Sequence, residues 1–353
     1  MKGNGGQVLK KVLFILRKDS MDKIYGPGEL ARVNEIAEVM MPVVTPEEIK
    51  KDPGVLKECN IIMSGWGGPL IDGWFLGKAP KLEAVFYGAG SIRGIVTPEF
   101  WEKGIPITSS WAANAVPVAE YTFAQIILCL KNAYRLNKIY TEDYPRIALS
   151  RDRSGKTYEE LHRSRKADGA YGTKVGIISL GMIGKMVCEF LKSLDVSILA
   201  YDPFFPEDDA AMLGVTMVSL EELFRQCNVV SLHAPWLPQT EKMIKREHFE
   251  LMKQGAAFIN TARGAIVDET GMIDILKKRP DITAVIDVTH PEPPSADSPL
   301  FTLDNVFLTP HIAGSMNEEC RRMGKYAVDE LKRYLNGEPL KYQITEEQFH
   351  TMA

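Results

Sequence analysis

Apolar residues fall in short runs along almost the whole chain, and between the runs they recur every third or fourth position. Short unbroken runs bounded by Gly, Pro, Asn or Asp read as strands buried on both faces, and the three-to-four spacing reads as amphipathic helix. Their alternation predicts parallel sheets with crossover helices. Strands are expected at 11–16 (KVLFIL), 60–65 (NIIMSG), 83–88 (EAVFYG) and 105–110 (IPITSS). A second series starts at 174 with KVGIIS and continues at 197–202, 228–233, 256–260, 283–288 and 305–310. Helix starts are marked by Thr45-Pro-Glu-Glu48, by Thr97-Pro-Glu-Phe100, which lacks the third-position carboxylate, and by a capping box of Ser219 with Glu222. After the loop at 179–184, Ile183, Met186, Val187, Phe190, Leu191 and Leu194 share one helical face. A long apolar helix is expected at 117–139, followed by a polar segment, 140–172, poor in core residues and expected to project from the body. Within it, Ser-Gly-Lys-Thr at 154–157 lacks both the first glycine and the buried strand that a phosphate loop requires.

A chain of 353 residues suits two domains, and 45% hydrophobic with 25% charged residues is ordinary for a globular protein. A net charge of -4 and a pI near 6.0 draw the chain toward neither nucleic acid nor an anionic membrane. The five cysteines (Cys59, Cys129, Cys188, Cys227, Cys320) are scattered, without metal-ligand or redox spacing, and read as reduced thiols. The longest apolar run, YTFAQIILCL at 121–130, is half a membrane span, and the amino terminus has no adequate signal-peptide core. The expectation is a cytoplasmic protein with no metal.

Candidate chemistry begins at KVGIISLGMIG, residues 174–184, a strand entering a glycine loop and a helix. In the dinucleotide fingerprint the first glycine eases the turn, the second admits the pyrophosphate and the third lets helix and strand pack closely. Gly181 and Gly184 keep the last two tasks; Ser179 stands in the first place and fits there if its backbone angles are not glycine's alone. Asp202 ends the next strand, 18 residues after Gly184, where a carboxylate binds ribose hydroxyls and repels the extra phosphate of NADP. No arginine follows it before residue 225, so NAD is expected over NADP, and NADH over NADPH.

Three later strands each run into an ionisable group: Arg263, Glu292 and His311. Neighbouring parallel strands would bring them to the edge on which the glycine loop opens. An arginine grips a carboxylate and polarises the adjacent carbonyl, a histidine exchanges the hydroxyl proton, and a carboxylate orients the histidine. His233 also ends a strand at the cofactor edge, and Asp287 is placed to bond a nicotinamide amide or cap its loop.

With these residues the chain resembles the D-isomer-specific 2-hydroxyacid dehydrogenase family. The resemblance rests on GIISLGMIG, YDP, LHAPWLPQT, NTARGAIVDE, DVTHPEPPSADSPLF and NVFLTPHIAG, with KGIPITSSWAANAVPVAEYTFAQIIL upstream, over roughly 80–335. It implies two doubly wound parallel-sheet α/β domains: a Rossmann NAD-binding domain at 117–316, and a flavodoxin-like substrate domain at 1–116 plus 317–353, with a cleft between them. Arg263, Glu292 and His311 match the family's catalytic residues. The matched segments imply cofactor contacts from Ser179, Gly181, Met182, Ile183, Gly184, Tyr201, Asp202, His233, Ala234, Pro235, Thr240, Thr261, Ala262, Asp287 and His311. The turn Tyr87-Gly88-Ala89-Gly90 matches the family's carboxylate-holding turn, although the following IRGIV departs from its pattern. Trp66 and Trp111 would line the pocket or cover the domain's core edge. A small 2-hydroxy or 2-oxo acid substrate follows, together with a homodimer formed through the NAD-binding domain, with 140–172 either extending its contact or standing as a solvated insertion. Glu292 stands against a formate dehydrogenase, which carries glutamine there, and the regulatory extension frequent in the family's phosphoglycerate branch is not expected here. The competing reading is a non-catalytic NAD(H) sensor or corepressor-like scaffold on the same fold.

Overall fold

Strands form where apolar runs can be buried on both faces. In the amino-terminal part these are β1 (Lys11–Ile15), β3 (Ile61–Ser64), β4 (Ala84–Tyr87) and β5 (Ile107–Ser109), with β2 (Glu38–Val44) beside β1. Alternate side chains enter opposite layers: Val85 and Tyr87 join one apolar cluster, Ala84 and Phe86 the other. Such strands read as unbroken apolar runs. β2 is missing from the sequence reading for the converse reason: it is a partly exposed edge strand containing Pro42, paired to β1 in irregular register.

The computed structural model describes residues 9–143 and 168–351, so most of the expected projecting segment 140–172, and its dimer contact, lies outside the described residues. The chain divides into two units, residues 1–115 with 315–353, and residues 116–314. In the first unit the strand order is β13-β5-β4-β3-β1-β2, where β13 (Gln343–Ile344) pairs antiparallel to β5 and all other pairs are parallel. Without β13 the order is 2-1-3-4-5, the flavodoxin-like arrangement. The Glu319–Leu335 helix seats Cys320, Met323, Ala327, Val328 and Leu331 in one of the two layers.

The second unit holds β6 (Lys174–Ile178), β7 (Ser197–Tyr201), β8 (Thr216–Met217), β9 (Val229–Leu232), β10 (Ala257–Asn260), β11 (Thr283–Ile286) and β12 (Val306–Leu308). All are parallel, in the order β12-β11-β10-β9-β6-β7-β8. This is the doubly wound Rossmann order, which reverses between β6 and β9, and ligands of such sheets bind beyond the carboxyl ends of the strands at that reversal.

The long apolar helix begins at Trp111, not 117, and ends at Leu130. Pro117 lies inside it at a cost of about 3 kcal/mol, which is outweighed by the burial of Ala112, Ala113, Ala115, Val118 and Ala119 around it. Asn132, at φ 50, then breaks the chain before a separate Ala133–Lys138 helix. The full 20-residue helix is long and apolar enough to cross a membrane by length and composition, and half of its apolar window is buried inside the protein. The Thr45 capping box forms as expected. Thr97 makes no side-chain cap; its hydroxyl is turned toward the Ile71 carbonyl, to which it donates. Only half of the box at Ser219 forms: its Oγ accepts from Glu222 N, while the Glu222 carboxylate turns to Arg225 and Gln226.

Candidate active site

The loop leaving β6 turns at Ser179, whose φ of 75 is left-handed. The serine therefore adopts a left-handed angle that favours glycine without being glycine's alone, at a cost of about 1–2 kcal/mol. Its N–H donates to Tyr201 O at 2.8 Å, and its hydroxyl lies 3.4 Å from Asp202 Oδ2. Leu180 N and Phe204 N donate to the same carboxylate at 2.8 and 2.9 Å, fixing Asp202 beside the loop. Gly184 is irreplaceable here, since a Cβ would sit 2.1 Å from Ser179 O. Gly181 caps the Met182–Leu191 helix, and the first N–H groups of that helix, through Met182 and Ile183, have no partner within it. A helix amino terminus with a close-packed glycine and a fixed acid at the next strand end fits a dinucleotide pyrophosphate and ribose.

Across the strand reversal, His233 N donates to Ile178 O at 2.9 Å, tying the ends of β9 and β6 together. The His233 ring is only 8% exposed, with Nε2 3.0 Å from Ser231 Oγ and no partner for Nδ1 among the described residues. Burial pushes the imidazole down to about 3, so it is neutral. Ala234 is buried beside it. The Thr240 hydroxyl accepts from Leu237 N and donates to Pro235 O, closing its own turn.

β10, β11 and β12 are consecutive neighbours, so their carboxyl ends deliver Arg263, Glu292 and His311 to one edge. His311 Nδ1 and Glu292 Oε1 are 2.6 Å apart, and both side chains are nearly half exposed. His311 is held at a left-handed φ of 54 by a clamp built on buried Asp287. The Asp287 carboxylate accepts from Thr309 Oγ1 (2.6 Å), Ile312 N (2.8 Å) and Ala313 N (2.9 Å), while Asp287 O accepts from His311 N. Arg263 Nη1 donates to Ala262 O, and Asn260 secures that loop by accepting from Ala262 N and donating to Arg263 O. The Thr261 hydroxyl bonds Thr122 of the long helix. A Cβ on Gly264 would lie 2.1 Å from the carbonyl carbon of Thr289, which shows how tightly the arginine loop presses on the loop leading to Glu292. The sequence reading passed over Asn260, Gly264 and Thr309. The Asn-Thr-Ala-Arg-Gly string carries the first two, but their tasks depend on a loop from another strand.

In the first unit, the carbonyls of Tyr87, Ala89 and Gly90 accept from Ser109 Oγ or Ser110 N. Gly88 N donates to Ser64 O, while Ala89, Gly90 and Ser91 donate no backbone hydrogen bond among the described residues. Three successive N–H groups are thereby left available to an acceptor. Trp66 and Trp111 pack against the apolar core, and Trp111 opens the long helix. Arg93 in IRGIV donates to Phe349 O and lies over that ring, so it is bound to the carboxy-terminal helix.

The model of the NAD binding domain of D-isomer specific 2-hydroxyacid dehydrogenases matches residues 147–313. The chain is 31% identical to a D-3-phosphoglycerate dehydrogenase of Methanocaldococcus jannaschii over 309 residues, 87% of this chain and 55% of that protein. It is 30% identical to a glyoxylate reductase of Korarchaeum cryptofilum over 289 residues, 80% of this chain and 82% of the reductase. The chain spans about half the length of the phosphoglycerate dehydrogenases it matches. Among solved structures, D-mandelate dehydrogenase of Rhodotorula graminis superposes with a TM-score of 0.77 at 20% identity, covering 96% of this chain and 98% of the other, a likeness of fold.

Proposed function

The chain belongs to the D-isomer-specific 2-hydroxyacid dehydrogenase family, and on that premise we propose that it interconverts a D-2-hydroxy acid and its 2-oxo acid with NAD, preferring NADH to NADPH. The observation that carries the reading is the 2.6 Å contact of His311 with Glu292 on the edge that also bears Arg263. Glu292 orients the imidazole through Nδ1, leaving Nε2 to give a proton to the carbonyl oxygen during reduction and to take it back during oxidation. Arg263 holds the substrate carboxylate and polarises the carbonyl. NADH, when bound, would supply the hydride for reduction, and NAD would accept it in the oxidation. The cofactor would be held by the loop Ser179, Gly181, Met182, Ile183 and Gly184, by Tyr201 and Asp202, and by the strand-end residues His233, Ala234, Pro235, Thr240, Thr261, Ala262 and Asp287. Asp202 selects against the extra phosphate of NADPH by charge.

Unit 1 serves as the substrate domain, where the turn Tyr87-Gly88-Ala89-Gly90 meets the carboxylate through the Ala89 and Gly90 N–H groups, with Trp66 and Trp111 packed behind it on the domain's core edge. Unit 2 serves as the NAD-binding domain and as the contact of a cytoplasmic homodimer. The test is NADH consumption, by absorbance, over hydroxypyruvate, glyoxylate, pyruvate, oxaloacetate and branched or aromatic 2-oxo acids, with His311→Ala beside the wild type. Turnover abolished by the substitution is expected. Turnover that survives it at full rate would remove the proton-transfer role, and NADH binding without any turnover would favour a sensor.

A further inference from the structure

One cation on the carboxyl edge of the first unit's sheet has no part in the chemistry above. Leu16 and Arg17 carry the chain past the end of β1, and Arg17 N donates to Trp66 O at 3.2 Å, joining this loop to the one after β3. The arginine stem lies flat on Gly67, where a Cβ would come within 2.1 Å of Arg17 Cγ. The guanidinium is thus led across the edge by packing, while its polar partners are weak. Nε is 3.3 Å from Asp19 Oδ1, Nη2 is 3.5 Å from Ser20 Oγ, and the side chain remains 60% exposed. A guanidinium has five donors, and an exposed ion pair contributes little, so most of its capacity is unspent.

Tyr87 shares this edge. Its ring is buried, its hydroxyl makes no hydrogen bond among the described residues, and the charge of Arg17 reaches it, opposing the upward push of burial on the phenol. The free N–H groups of Ala89, Gly90 and Ser91 follow directly after β4. β1 and β4 flank β3, so Arg17 and the N–H cradle start two strand spacings apart, roughly 10 Å. An extended arginine and a short-chain acid fill that span together.

We propose that Arg17, with the Tyr87 hydroxyl, binds the second anionic group of a dianionic 2-hydroxy or 2-oxo acid, whose first carboxylate lies in the Ala89–Ser91 cradle. The group is a carboxylate, sulfonate or phosphate. The inference rests on the dehydrogenase reading and narrows its substrate class.

The experiment compares kcat/KM for matched pairs with NADH: 3-phosphohydroxypyruvate against hydroxypyruvate, and oxaloacetate or 3-sulfopyruvate against pyruvate. The wild type is expected to favour the dianion, and Arg17→Gln to cut that preference about 10- to 100-fold, the size of one charged hydrogen bond. Arg17→Lys should restore part of it, and Asp19→Asn, which removes the competing carboxylate, should raise it. The best pair identifies the anion. A variant that is merely misfolded slows both members alike and leaves the ratio intact. An unchanged ratio, or no preference in the wild type, overturns the proposal. If the wild type reduces nothing, the dehydrogenase reading fails separately. Quenching of tryptophan fluorescence by 3-phosphohydroxypyruvate, present in the wild type and lost in Arg17→Gln, would then uphold the anion site, and its absence would refute it.

Discussion

Mild acid should weaken the fold through His233. In the folded protein this histidine is 8% exposed, has a ring nitrogen without a partner among the described residues and titrates only at about 3, against 6.5 for an ordinary histidine. Between those two values the unfolded chain binds a proton that the folded chain refuses. The associated stability is therefore fully present above about pH 6.5 and is lost progressively as pH falls toward 3. One pH unit corresponds to about 1.4 kcal/mol, so the drop from pH 7 to pH 5 removes about 2 kcal/mol, allowing for partial protonation near 6.5. Urea titrations of the wild type and of His233→Gln at pH 7, 6 and 5 measure this. The glutamine keeps a polar, similarly sized side chain but cannot titrate, so its pH slope should be shallower by about 2 kcal/mol over the range. His248, whose pKa burial also lowers, acts in the same direction but is present in both proteins and cancels. Parallel slopes for the two proteins would refute the argument, whatever their absolute stabilities.

Two further substitutions probe the site's backbone. Gly264→Ala places a methyl group against the Thr289 carbonyl, which is backbone and cannot swing aside. A loss of at least about 1–3 kcal/mol is expected, read as a Tm lowered by roughly 2–4 °C per kcal/mol, together with slower NADH turnover as the Glu292 loop is displaced. A Tm within a degree or so of the wild type would contradict the close approach. Ser179→Gly should relieve about 1 kcal/mol of left-handed strain, largely offset by the extra freedom of glycine in the unfolded chain. Ser179→Ala keeps the strain and loses the hydroxyl facing Asp202. The glycine protein should therefore be at least as stable as the alanine one and bind NADH no more weakly than wild type, by fluorescence titration. An alanine variant more stable than the glycine one would show that the turn carries no such strain.

Sequence and structure agree best where burial is complete. β3, β4, β6, β9, β10 and β11 are buried at almost every position, and each was legible as an apolar run. Three of the four edge strands were not: β2 is half exposed, and β8 and β13 are two residues each, too short to carry a pattern, whereas β12 was legible within 305–310. The long helix starts six residues before the expected 117 and ends nine before the expected 139: apolar packing on either side of Pro117 carries the helix through it, and left-handed Asn132 stops it beyond Leu130. Arg93 looked like a departure within the carboxylate turn, and its partner, Phe349, is 256 residues away.

The sequence by itself determined which fully buried segments are strands, that Gly184 must lack a side chain, and that Asp202, Arg263 and His311 lie just past strand ends, because burial and turn chemistry are written in adjacent residues. Only the tertiary structure decided the strand orders, the meeting of Glu292 with His311, the Asp287 clamp that holds His311 left-handed, and the lean of Arg17 across Gly67. Those depend on which strand ends become neighbours, a distance set by the crossovers of the whole sheet and carried by no local run of residues.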